Sequence, residues 1–159
     1  MSLIFEAPVN NLSVGNVSVN LLRQMYKSKV ETCFFPKLGG TMATDNDLRA
    51  NLTAFDKLDE GFIKWIEDSI KYKFHNMRKD MPSLHLWHIN GAEKRISPKQ
   101  FLFTFFELDQ PTFVEKKIAD LQEKVFISNP KAVEAFNNLG CENVEYVPMG
   151  FDQDFHVMK

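Results

Sequence analysis

Lys124-Val125-Phe126-Ile127-Ser128-Asn129-Pro130-Lys131-Ala132-Val133-Glu134-Ala135-Phe136-Asn137-Asn138-Leu139-Gly140 decides the fold of this chain. Val125-Phe126-Ile127 is a short apolar run with no polar face, the pattern of a strand covered on both sides. Ser128-Asn129-Pro130 then opens a helix, because Asn129 can cap the first N–H groups and the fixed φ of proline suits the first turn. Val133, Phe136 and Leu139 recur at helical spacing, and Gly140 supplies the stop. Val144 to Val147 follows as another short strand, ended by Pro148-Met149-Gly150.

The same alternation extends toward the N-terminus. Leu3-Ile4-Phe5 is a strand closed at Ala7-Pro8, and after a polar loop Val17, Leu21 and Met25 form a helical stripe with Leu22 and Tyr26 beside it. Val30 to Phe35 is a second strand with a turn-rich exit at Pro36-Lys37-Leu38-Gly39-Gly40. The segment 41–58 is polar and poorly periodic, with a short helix expected near Leu48 to Phe55. From Asp59 the spacing of Phe62, Ile63, Ile66, Ile70 and Phe74 predicts a helix, with Asp59 and Glu60 at the positive end of its dipole. Leu84 to Ile89 and Phe101 to Phe106 read as strands, and Pro111 as the first turn of a helix whose stripe is Val114, Ile118 and Leu121. Short, unbroken strands alternating with amphipathic helices predict an α/β, Rossmann-like doubly wound domain: about six mainly parallel strands with helices on both faces. In that class ligands sit at the carboxyl ends of the strands.

Composition narrows the partners. At 159 residues with 44% hydrophobic content the chain suits one domain. A net charge of -2 gives none of the basic surplus that nucleic-acid binding requires. Cys33 and Cys141 form no CxxC pair and suggest neither a disulfide framework nor a zinc site, which points to a reduced, cytoplasmic setting. No stretch approaches the ~20 apolar residues of a membrane span, although peripheral membrane contact stays open.

Four constellations could carry chemistry. Ser13-Val14-Gly15-Asn16 leads from the first strand into a helix, where a glycine lets a ligand approach the backbone and free N–H groups can meet an anion or a sugar hydroxyl. It lacks both GxGxxG and GxxxxGK[ST], which counts against NAD and ATP, and it also reads as an ordinary strand-to-helix turn. In His85-Leu86-Trp87-His88-Ile89-Asn90-Gly91, strand alternation puts His85 and Trp87 on one face and His88 on the other, so the two histidines do not share a metal. His88 lies at the strand's carboxyl end, facing a ligand or satisfied by a backbone carbonyl, and no serine or cysteine elbow accompanies it. Phe105-Phe106-Glu107-Leu108-Asp109 brings two carboxylates out of a buried strand for acid–base or hydroxyl-binding work, with capping of the next helix as the other role for Asp109. Asp152-Gln153-Asp154 has the Asp-x-Asp spacing of a cation site but too few residues around it to converge on an ion, so no metal is expected.

The order of these pieces resembles a family. Phe105 to Asp109, Lys124 to Pro130, the helix ended by Leu139-Gly140, and Asn143-Val144-Glu145-Tyr146-Val147-Pro148-Met149-Gly150-Phe151-Asp152 are similar to the second half of the N-terminal domain of retaining GT-B glycosyltransferases of the group 1, or family 4, type. The likeness is close over residues 84–156 and looser before them. It implies that residues 1–150 form the acceptor-side Rossmann-like domain and that 151–159 begin a hinge toward a C-terminal donor-binding domain that these residues lack, expected in a longer form of the chain or in a separate one. It implies transfer of a sugar from a nucleotide-sugar donor to a saccharide or lipid-linked acceptor, with no cofactor beyond the donor substrate. By the same resemblance His88 and Glu107 take the catalytic positions in the cleft, and Gly15, Asn16 and Ser128 bind substrate. The family's basic phosphate-binding residues and Glu-x7-Glu motif have no counterpart here, so these residues alone are expected to be inactive. Phe151 and Phe155, if left exposed, would favour a homodimer. The alternative is a non-catalytic, stand-alone Rossmann-like binding or interaction domain. A response-regulator relative is a more distant reading, because the acidic cluster and lysine it needs are not evident.

Overall fold

The computed structural model describes residues 2–10, 12–37, 45–53, 55 and 58–150. Its elements run β1 (Ser2–Pro8), α1 (Ser13–Lys27), β2 (Glu31–Lys37), α2 (Asp45–Thr53), α3 (Glu60–Asn76), β3 (Ser83–Leu86), β4 (Gln100–Thr104), α4 (Phe113–Asp120), β5 (Lys124–Ile127), α5 (Pro130–Asn138) and β6 (Val144–Tyr146). The six strands form one sheet in the order β2-β1-β3-β4-β5-β6, and every neighbouring pair is parallel. The α/β, Rossmann-like doubly wound architecture is therefore as the sequence predicts.

Strand alternation divides the apolar side chains between two layers. Phe5, Phe34, Leu86 and Phe103 face α1, α2 and α3 and pack with Val19, Leu22, Leu48, Leu52, Phe62 and Ile66. Leu102, Val125, Ile127 and Val144 face the other way and pack with Ile118, Ala119, Ala132 and Phe136 of α4 and α5. Phe5 and Phe34, in register on β1 and β2, stack with ring centroids 5.7 Å apart. Each such fully buried side chain contributes about 1.5–3 kcal/mol of transfer free energy.

Several boundaries follow from local chemistry. Asp59 caps α3 by accepting the Phe62 N–H at 2.7 Å, and Asn129 caps α5 by accepting the Lys131 N–H at 3.0 Å. Gly140, with φ 84°, ends α5 as expected. The cap of α4 differs from the expectation. Its N-cap is Thr112, which forms a reciprocal capping box with Glu115, so Pro111 lies ahead of the helix and Asp109 plays no part in the cap. That box sets the helix so that Glu115, Ile118 and Ala119 are buried while Val114 and Leu121 of the anticipated stripe are exposed. The stripe of α3 also overreaches, since Phe74 near its end is 74% exposed. β3 and β4 end at Leu86 and Thr104, earlier than the apolar runs suggest.

The sheet order places the chain's change of direction. From β1 the chain moves outward to β2, then crosses back over β1 to β3 and continues to β6. The connections leaving β1 and β3 therefore diverge, opening a crevice at their carboxyl ends, the topological switch point of this class.

Candidate functional site

A cleft of about 840 Å3 occupies that switch point. Asn10 and Leu12 reach it from the β1–α1 connection and Ser13 and Val14 from the first turn of α1; Trp87, His88 and Asn90 follow β3; Phe105, Glu107 and Leu108 follow β4. Glu115 of α4 and Met149 beyond β6 complete the wall.

Each segment is held by identifiable bonds. Asn10 Oδ1 accepts the Leu12 N–H at 3.0 Å, folding the β1–α1 loop, and Gly15 in the first turn of α1 lies so close to Asn10 that a Cβ there would overlap its carbonyl oxygen and its Oδ1. The Trp87 N–H donates to the Phe103 carbonyl at 3.2 Å, and the Trp87 and His88 rings meet edge to face at 5.4 Å. The irregular connection from β3 to β4 rests on a buried amide network. Gln100 Nε2 donates to the Ala92 carbonyl at 2.8 Å and to Gln122 Oε1 at 2.9 Å, and Gln122 Nε2 donates to the Ile118 carbonyl at 2.9 Å. These bonds tie the open loop down over the sheet, although among the described residues Gln100 Oε1 is buried without a partner. Glu115 is 5% exposed and has both oxygens engaged: Oε2 accepts from the Thr112 N–H and Oγ1, and Oε1 accepts from Asn90 Nδ2 at 3.3 Å. Its carboxylate therefore orients Asn90 and leaves Glu107 as the solvent-facing acid of the cleft.

Of the five site residues expected from sequence, His88 and Glu107 line this cleft and both are exposed. Gly15, Asn16 and Ser128 are not among its lining residues. Gly15 is buried under the Asn10 turn and shapes the loop. Asn16 is exposed on α1, its backbone N–H bonded to the Leu12 carbonyl at 2.8 Å. Ser128 is half-buried at the end of β5, beyond β4 on the far side from the switch point. Asp152 and Asp154 lie outside the described residues. Sequence reading passed over Glu115 and Asn90; the Thr112-x-x-Glu115 spacing is a capping-box signature and could have placed Glu115 beside the cleft.

A second polar cluster lies on the sheet beside the cleft, from residues that sequence reading did not connect. Lys37 Nζ, at the end of β2, donates to Glu6 Oε1 and to His85 Nε2, each at 2.8 Å, and lies 5.3 Å from the centre of the Trp87 ring. Glu6 and His85 are paired in register on β1 and β3, so their side chains share a face. His85 is 0% exposed, and among the described residues its Nδ1 has no hydrogen-bond partner. Because Nε2 accepts from an ammonium, the ring proton belongs on Nδ1. Burial, reinforced by the Lys37 charge, pushes the His85 pKa down to about 3. Glu6 is 4.0 Å from Nε2, but Lys37 stands nearer and neutralises it, so the imidazole stays uncharged.

Among the described residues lining the cleft there is no lysine or arginine, and two are glutamates. The site is suited to hydroxyl-bearing ligands: it offers His88, Asn90 and Ser13 as donors or acceptors, Glu107 as an acceptor and Trp87 as an aromatic wall. It is poorly suited to a diphosphate.

Fold and cleft together define the class: a doubly wound, Rossmann-like α/β domain with a ligand-type cleft at its switch point. No family model matches this chain, and no curated protein or solved structure does. Among the described residues, no helix is long and apolar enough to cross a membrane.

Proposed function

We propose that this domain is the acceptor side of a GT-B glycosyltransferase, binding the saccharide or lipid-linked acceptor of a sugar transfer from a nucleotide-sugar donor. The observation that carries the reading is the cleft itself: His88 and Glu107, singled out by the sequence resemblance, both line it at the carboxyl ends of β3 and β4. An acceptor hydroxyl placed between them would meet an imidazole and a carboxylate, either of which can take its proton or align it for attack. Trp87 supplies the apolar surface on which a sugar ring can lie. The donor diphosphate, which needs cationic contacts, would be held by a second domain facing this cleft.

Saturation-transfer NMR against a panel of methyl glycosides and disaccharides tests the reading. At least one saccharide should show transfer that both His88→Ala and Glu107→Gln abolish, and both substitutions are at exposed side chains. A panel without transfer, or transfer that survives both changes, would refute the assignment.

A further inference from the structure

We infer that the ligand of the cleft is an amphiphile, with an uncharged polar head against His88, Asn90 and Glu107 and an aliphatic chain lying over Leu12, Leu108 and Met149. The inference rests on the proposed acceptor role and narrows its ligand class.

The rim of the cleft carries it. Leu12 is 68% exposed, Leu108 62% and Met149 47%, and all three line the same cavity although they come from three separate segments of the chain. Single exposed apolar side chains are ordinary, whereas convergence around one opening marks a binding surface. Val14 and Phe105, both half-buried, add apolar surface to the same wall. A volume of about 840 Å3 suits a ligand of drug size and leaves space beyond a single sugar ring.

Charge selects the head. Glu107 and Glu115 are the ionisable groups on the wall besides His88, and among the described lining residues no lysine or arginine balances them. A phosphate or sulfate head would be repelled, even though the amino end of α1 opens into the cleft. A neutral head can accept from Asn90 and donate to Glu107 without desolvating an anion beside two carboxylates.

The probes are monomeric n-alkyl β-glucosides from methyl to octyl, below micelle concentration, followed by the Trp87 indole N–H signal of the isotopically labelled chain. Affinity should climb with chain length, by at most roughly fourfold for each methylene buried, reaching on the order of a hundredfold from methyl to octyl. Leu108→Ser, a change at an exposed side chain, should lower octyl glucoside affinity about tenfold and methyl glucoside affinity by far less, so that the chain-length dependence flattens. Octyl phosphate should bind at least about tenfold more weakly than octyl glucoside. Affinity independent of chain length, or equal binding of octyl phosphate, would overturn the inference while leaving a saccharide acceptor site standing. A concentration-dependent dimer that Leu108→Ser abolishes and octyl glucoside does not dissociate would overturn it too, by assigning the collar to a second copy of the chain. Equal binding of octyl tetraethylene glycol ether and octyl glucoside would uphold the amphiphile site and defeat the sugar-acceptor role, so the two can fail separately.

Discussion

Gly15→Ala will destabilise this domain by about 2–3 kcal/mol, although helix propensity alone predicts the opposite sign. Gly15 lies inside α1, and alanine in place of glycine at a helix position ordinarily gains about 1 kcal/mol. Here the added methyl would overlap the carbonyl oxygen and the Oδ1 of Asn10 and stand 2.7 Å from its backbone nitrogen. The obstacle is backbone, so it cannot rotate away, and Asn10 is also the residue whose Oδ1 folds the loop by accepting the Leu12 N–H. Relief requires the β1–α1 connection to move away from α1, which displaces Asn10 and Leu12 from the cleft wall. Urea denaturation of the two proteins provides the check, with the midpoint lowered in the variant and m unchanged. A variant as stable as the parent, or more so, would show that the loop does not pack against α1 in this way.

The second large effect is an acid-side loss of stability from one buried imidazole. The folded-state pKa of His85, about 3, lies below its ordinary 6.5. Between these values the unfolded chain takes up a proton that the folded chain refuses. The stability this group protects is therefore fully present above pH 6.5 and is lost as pH falls from 6.5 toward 3. The slope is about 1.4 kcal/mol per pH unit, so roughly 2 kcal/mol is gone by about pH 5, before most carboxylates have titrated. His85→Gln removes the titrating group and keeps an acceptor within reach of Lys37, so its stability should be nearly flat over the same interval. Parallel pH profiles for the two proteins from chemical denaturation would decide it. Equal slopes between pH 6.5 and 5 would mean that His85 is solvated or already paired with Glu6 as a cation.

These two sites also mark how far the sequence could be read. The parallel, doubly wound sheet was legible because Leu3-Ile4-Phe5 and Val125-Phe126-Ile127 are unbroken apolar runs, and Phe101 to Phe106 is interrupted only by Thr104, between punctuated helices. The switch point placed His88 and Glu107 on the cleft because carboxyl-end residues of adjacent strands must converge there. What escaped was set by contacts between distant positions. Lys37 joins Glu6 and His85 across three strands, and no local pattern records that β1 lies between β2 and β3. In α4, hydropathy favoured Val114 and Leu121, but Glu115 is buried instead, because the capping box and Asn90 satisfy its carboxylate. A periodicity argument sees apolar spacing and is blind to polar groups that bury one another. Gly15 and Asn16 were placed on a ligand-facing loop for the same local reason, whereas the space beside Gly15 is filled by Asn10 of this chain.

In the role we propose, this cleft takes the acceptor and leaves the nucleotide-sugar donor to another domain. The most direct measurement follows the Trp87 indole N–H of the labelled chain while a saccharide that gives saturation transfer and, separately, UDP- and GDP-sugars are titrated in. The saccharide should shift that signal, and the nucleotide sugars should leave it in place up to about 1 mM, a limit corresponding to no more than ~4 kcal/mol of binding. Micromolar binding of a nucleotide sugar that moves the Trp87 signal, with saccharides inert, would contradict the account and put the donor site within these residues.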